Sequence, residues 1–329
     1  MGTLIPAFDF QRCVIEPWVS DPWGTGWIIA MGFFVLAAGG LVGNYLLLRR
    51  MALIGDAISH SILPGLIGAF LIFRNSGTLV AVIGAFAAGV VTVAMIEFIH
   101  RQTRVKPDAA ICITFTSLFA LGVLMISALE SQGSFHIDAD CVLYGEIAFV
   151  PLEEPLQIAG VTLGPPSAIR MAGILALVIA VICIFYKELL VTAFDSGLAR
   201  SMGMKSGVWH YGLMAAVILV VVGAFESVGA ILAVATLIVP PMFAAQLSSR
   251  LSVRLVLTVL HAAISSLLGL HLSYWLNCSV AGAMVVVGSA LFVAAWAITS
   301  LVGAWQQRRS SPEPAENSPE TCNRPPAFL

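Results

Sequence analysis

The chain has 329 residues, of which 59% are hydrophobic and only 10% charged, with a formal net charge of −2. A soluble domain carries about 25% charged residues, so this composition excludes an ordinary soluble enzyme or nucleic-acid-binding module and predicts an all-α polytopic membrane protein. Six cysteines, at 13, 112, 141, 183, 278 and 322, show no CxxC or paired spacing, which speaks against a disulfide framework or a zinc cluster.

Residues 1–26 carry Trp18 and Trp23 among prolines and read as an interfacial N-terminal segment, without the basic start of a signal peptide. Spanning segments are predicted at about 27–48, 52–73, 77–99, 109–129, 168–186, 211–226, 229–247, 254–275 and 281–304. Most are close to the roughly 20 residues a bilayer core requires. The expected fold is therefore about nine transmembrane helices, with a margin of one, in a single domain over 27–305. Placing the N-terminus outside leaves thirteen lysines and arginines in inner loops and only Arg12, Arg74 and Arg170 outside. That bias orients the chain with its C-terminus in the cytoplasm. The outer side collects nine carboxylates, a field that concentrates cations.

The stretch RRMALIGDAISHSILPG, residues 49–65, sets Asp56 and His60 one helical turn apart in an otherwise apolar segment. Residues at i and i+4 share a helix face, and an acid in a spanning helix is a functional-site hypothesis because it is costly there. Oxygen and nitrogen donors together suit a divalent transition metal. Pro64 removes the N–H that would bond the His60 carbonyl. The competing reading pairs Asp56 with Arg49 or Arg50 and His60 with Ser59 or Ser61; spacing alone does not choose between them.

Between Glu130 and Pro166 the outer segment offers His136, Asp138 and Asp140, which share one side in an extended conformation and would form a metal entrance. The alternative is a solvated acidic loop over a short interfacial helix. The inner segment 187–209 contains a short amphipathic helix, with Leu198 and Met202 one turn apart, Asp195 and Ser196 as candidate caps and Gly203 as its close. A helix of this kind on the inner face is a grip for a partner protein. In GAFESVGAILAVATLIVPP, residues 223–241, Glu226 is a second acid, either at membrane depth on the pathway or at the outer interface in contact with water. Pro240 and Pro241 free the carbonyls of Thr236 and Leu237, which predicts a broken helix lining something polar. The tail 306–329, rich in Pro, Glu, Ser and Asn, is expected to be disordered in the cytoplasm.

Five blocks in order, RRMALIGDAISHSILPG, TRVKPDAAICITFTSLFALGVLMIS, DADCVLYGEI, FDSGLARSMGM and ESVGAILAVATLIVPP, resemble the membrane permeases of ATP-binding-cassette importers for manganese, zinc and iron. Cys112 departs from the glycine more usual at its position in such permeases. The resemblance implies a compact importer-type permease similar to the vitamin B12 and siderophore transporters, working as a dimer with a second copy or a related permease in the bacterial inner membrane. It implies a cytoplasmic ATPase that grips Asp195, Leu198, Arg200, Met202 and Gly203, and an extracytoplasmic metal-binding protein docked on the acidic mouth. Asp56 and His60 match the acid and histidine that meet the transported metal in such permeases, and Glu226 matches more weakly. The metal is cargo, and no permanently bound cofactor is expected.

None of the three lysines, Lys106, Lys187 and Lys205, closes a GxxxxGK[ST] pattern, so ATP hydrolysis through a P-loop would belong to another polypeptide. A secondary transporter driven by an ion gradient is the alternative, and the chain shows no internal repeat of the kind such transporters carry. An intramembrane metalloenzyme would require HExxH or a comparable set, which is missing.

Overall fold

The computed structural model describes residues 9–73, 78–130, 147–158 and 161–310. A π-helical turn, Gln11–Ile15, and α1 (Glu16–Ser20) lead into α2 (Pro22–Leu48), α3 (Ile54–Phe73), α4 (Thr78–Gln102) and α5 (Pro107–Glu130). A 3₁₀ turn, Ile147–Leu152, and an antiparallel hairpin of β1 (Leu156–Ile158) and β2 (Val161–Gly164) follow. Then come α6 (Pro166–Ile184), α7 (Tyr186–Phe194), α8 (Ser196–Ser201), α9 (Ser206–Leu247), α10 (Leu251–Leu276) and α11 (Val280–Ser310). Among the described residues eight helices are long and apolar enough to cross a membrane, and Leu232–Leu247 is a shorter apolar helix where the ninth segment was expected. The chain is a multi-pass membrane protein.

Local chemistry sets several boundaries away from the hydropathy estimate. The first long helix starts at Pro22, inside the segment assigned to the interface, because the Asp21 carboxylate accepts the Gly24 N–H at 2.9 Å and Pro22 occupies the first helical position. The helix expected from 211 starts at Ser206. The last helix runs to Ser310, past the boundary drawn at 306, because Gln306, Gln307, Arg308 and Arg309 are good helix formers and no proline intervenes before Pro312. His136, Asp138, Asp140 and residues 311–329 lie outside the described residues. In the outer segment, the 3₁₀ turn buries Ile147 and Val150. The hairpin there had no signal that was read. Glu153 accepts the Ser167 N–H at 3.0 Å, which places a carboxylate at the start of α6, where the helix dipole favours it.

The core is built around α2, buried along most of its length, whereas α11 is mostly surface. Helices α2 and α9 approach closely. A Cβ on Gly39 would overlap Thr236, and one on Gly43 would overlap the Leu237 carbonyl oxygen. The carbonyl that Pro241 deprives of a helical donor therefore lies against a bare backbone. This is small-residue packing of the kind membrane helices use when apolar burial gives no preference between helix and lipid. The break in α9 is at Gly229, with φ 76° and ψ 175°, and not at the prolines, which stay within the helical run. A proline subtracts one hydrogen bond, but only glycine enters that backbone region without strain.

Buried polar side chains fix the lateral register. Asn44 Nδ2 donates to Thr258 Oγ1 on α10 at 2.9 Å, and the His261 ring donates through Nε2 to the Gly288 carbonyl on α11 at 3.1 Å. The Thr92 hydroxyl on α4 donates to Ser61 on α3. His271 Nδ1 on α10 donates to the Cys13 carbonyl at 3.1 Å, which ties the N-terminal turn to the bundle.

Gly43→Ala forces α2 and α9 apart, and overpacking of this kind costs about 1–3 kcal/mol. Gly173→Ala adds a methyl that meets nothing within 4 Å on α6, and should be neutral or slightly stabilising. Thermal unfolding of the two purified variants in one detergent should show a lower midpoint for Gly43→Ala alone.

Candidate functional site

Helix α3 begins at Ile54, which puts Asp56 in its first turn and His60 one turn further on. The macrodipole favours a carboxylate at that end, so the acid is less costly there than at mid-membrane. The His60 Nε2 and an Asp56 carboxylate oxygen are 3.3 Å apart. Two donors each about 2.0–2.1 Å from a tetrahedral ion lie roughly 3.3–3.4 Å apart, so the pair is spaced to share one cation. Phe115 and Phe119, one turn apart on α5, stack against the imidazole at ring distances of 5.4 and 5.6 Å and fix its orientation. Nδ1 of His60 is buried without a hydrogen-bond partner.

Three of the four competing partners, Arg49, Ser59 and Ser61, are occupied elsewhere. Ser59 donates to the Gly55 carbonyl and Ser61 to the Ile58 carbonyl, both within α3. Arg49 donates to His210 Nδ1 at 3.2 Å and to Thr192 Oγ1 at 3.3 Å. The side chains of His60 and Asp56 remain 31% and 38% exposed, on the flank of the bundle. Among the described residues no group of three or more His, Cys, Asp or Glu side chains forms a metal site. One subunit thus offers two donors, half of a tetrahedral set.

Glu226 lies in α9 three residues before the break at Gly229; its side chain is outside the described set. His136, Asp138 and Asp140 are not described, so their geometry with respect to the pair is open. Cys112 is a free, exposed thiol, and of the described cysteines only Cys13 is buried.

At the basic end of the bundle, α8 is a single compact turn. Asp195 caps it, accepting the N–H groups of Gly197 at 2.7 Å and Leu198 at 3.0 Å. Gly203, at φ 81°, closes it through Met204 N–H to the Ala199 carbonyl and Gly203 N–H to the Arg200 carbonyl, the paired bonds of a Schellman motif. Leu198 and Met202 are 52% and 64% exposed, while Ala199 is fully buried beneath them. The helix presents two apolar side chains outward on a backbone fixed at both ends.

A polar chain connects this end, and the sequence reading passed over it. His210 Nε2 donates to Glu97 at 3.0 Å while Nδ1 accepts from Arg49, and Glu97 also pairs with Arg101. The pattern puts the single ring proton on Nε2. It joins the end of α2, α4 and the start of α9, and through Thr192 the helix α7 that leads into α8. Glu97 and His210 each sit at the margin of an apolar run, a signal that could have found them.

Comparison with known proteins agrees with this architecture. The chain is 39% identical over 270 residues to the manganese transport system membrane protein MntD of Bacillus subtilis, covering 82% of this chain and 90% of that one. It is 37% identical over 265 residues to the zinc transport system membrane protein TroD of Treponema pallidum, covering 80% and 71%. Among solved structures, PsaBC from Streptococcus pneumoniae in complex with Fab matches with a TM-score of 0.70 and 31% identity over 86% of this chain and 95% of that one. An inward-facing metal-chelate type ABC transporter shares the fold, with a TM-score of 0.59 at 16% identity over 88% and 91%. The family model described as ABC 3 transport family matches residues 25–299, and the chain belongs to that family.

Proposed function

We propose that this chain is the permease subunit of an ATP-driven importer of divalent metal ions, that two permease subunits enclose one pathway, and that Asp56 and His60 of each subunit meet the ion in transit. The observation that carries the reading is the carboxylate–imidazole pair at 3.3 Å on an open flank of the bundle. A half-exposed ionisable pair facing lipid is unfavourable. A second subunit placed against it supplies the missing two donors and removes the pair from lipid. Relatives named for manganese and zinc transport support a divalent cargo of the manganese, zinc or iron kind. Neutral imidazole and carboxylate bind all three, so selectivity rests on geometry.

The excess of lysine and arginine in the loops at the α8 end supports placing that end at the cytoplasm and the N-terminus outside. There Leu198 and Met202 form the apolar grip for a separate ATPase, with Arg200 beside them and Asp195 and Gly203 holding the helix ends. On the opposite side an extracytoplasmic metal-binding protein would deliver the ion, past His136, Asp138 and Asp140 as entrance and Glu226 further in.

If the pair meets the ion, Asp56→Asn and His60→Ala should each lower ATP-dependent metal uptake by at least about tenfold, with assembly of the complex unchanged. Uptake assays in vesicles with manganese, zinc and iron in competition measure both the loss and the preference. Wild-type uptake in both variants sinks the metal role of the pair, and uptake that follows a proton gradient without ATP sinks the importer assignment.

The grip is tested separately. Leu198→Asp together with Met202→Asp puts two charges into the docking face. Burying unpaired charge at an interface costs roughly 2–5 kcal/mol, so the ATPase should be lost in co-purification while the permease still folds. Normal recovery of the ATPase places the contact elsewhere.

A further inference from the structure

The helix end that precedes the metal pair contains an unusual residue. Helix α2 closes with Met51 N–H to the Leu46 carbonyl and Arg50 N–H to the Leu47 carbonyl, the same paired closure as in α8. The position that carries Gly203 in α8 is here Arg50, at φ 57°. That left-handed position usually falls to glycine, since a side chain is strained there. The paired backbone bonds fix the position from which the Arg50 side chain leaves the basic end.

What that place adjoins is a cavity of about 700 Å³ between the ends of α2, α4, α5, α7 and α9, with α8 contributing Arg200. Its walls include Arg49, Arg50, Arg101 and Arg200, with His100 and His210. Against four arginines stand two carboxylates, Glu97 and Asp108, and Glu97 is already engaged by Arg101 and His210. The Nε of Arg49 is buried there without a partner. A second cavity of about 570 Å³ shares the walls α2, α7 and α9 and is almost wholly apolar, lined by Val42, Tyr45, Leu189, Trp209 and Leu213 among others. Along α2 and α4 the order is consistent. Val42, Tyr45 and Phe86 belong to the apolar cavity and lie further from the basic ends of their helices. Arg49, Arg50, Glu97 and Arg101 belong to the basic one, at the helix ends.

We propose that the basic cavity binds a phosphate-bearing headgroup, that of an anionic phospholipid of the inner leaflet, with an acyl chain of the same lipid in the apolar cavity. Guanidinium groups match phosphate oxygens in geometry and charge, and basic pockets between membrane helices on the cytoplasmic side are suited to anionic headgroups. The order of the two cavities, basic at the helix ends and apolar toward the interior, is that of a phospholipid in its leaflet. The inference takes from the proposed function only the assignment of the basic end to the cytoplasm.

The experiment uses the permease assembled with its ATPase, and phosphatidylglycerol as the probe, in vesicles diluted with phosphatidylcholine. Arg50→Gly removes the guanidinium while relieving the left-handed strain, so its thermal midpoint should be equal to or above that of the wild type. Its phosphatidylglycerol affinity should fall about fivefold, the factor that one cationic side chain near an anionic headgroup contributes. Arg250→Gln, an exposed arginine at the same end outside the cavity, should leave the affinity unchanged. Persistence of binding in excess inorganic phosphate assigns the site to the lipid; displacement assigns it to phosphate-bearing anions in general, with free phosphate as a competing source. Equal affinity of Arg50→Gly and wild type overturns the proposal, as does an equal loss in Arg250→Gln. So does the absence of phosphatidylglycerol from the wild-type complex, which would mean that the ATPase covers the cavity. Lipid retention is read without transport, so it stands or falls apart from the import assignment.

Discussion

The bundle depends on the approach of α9 to α2 across Gly39 and Gly43. In lipid, apolar side chains gain little by leaving one hydrocarbon surface for another, so helices are held by close packing and by polar contacts. At Gly43 the gain is a carbonyl, Leu237, freed by proline and covered by backbone. The Asn44 amide, one residue on, then reaches Thr258 on α10. Two adjacent residues of α2 thus fix the positions of two neighbouring helices. Leu237 also lies against Gly55 at the start of α3, one residue before Asp56. The helix that carries the carboxylate is seated on the same contact.

That seating bears on how α7 is tied to the start of α3. Arg49 caps the end of α2, bonds α7 through Thr192 and α9 through His210, and stands five residues before the first turn of α3. A shift of α7 and α8 relative to α2 must either carry Arg49 with it or break these bonds. Thr192 and His210 thus tie Arg49, and with it the turn that leads into α3, to α7 and α9 through short, specific polar contacts.

Much of this was legible in the sequence, for reasons that differ by element. The spans were visible because hydropathy is a sum over 20 residues and tolerates local error. The α8 unit was visible because its caps, Asp195 and Gly203, are local and chemically specific. Asp56 and His60 were visible as a pair because four residues on a helix is a distance known in advance, but their escape from Arg49 was not, since it depends on where His210 and Thr192 arrive from far along the chain. The predicted spans 211–226 and 229–247 bracket the break in α9, but Gly229 looks like any other packing glycine until its φ is known. The hairpin at Leu156–Gly164 is too short for alternation to stand out. Arg50 gives no sign in sequence of its left-handed backbone, as arginine is unremarkable at the end of a helix.

The Gly229 break also leaves two helix ends, those of 206–228 and 230–247, beside the buried Ser227 and Val228. A helix end carries N–H or C=O groups without an intrahelical partner and roughly half an elementary charge of dipole. Interrupting one helix at a glycine therefore brings backbone polarity into the packed bundle without adding a single charged group.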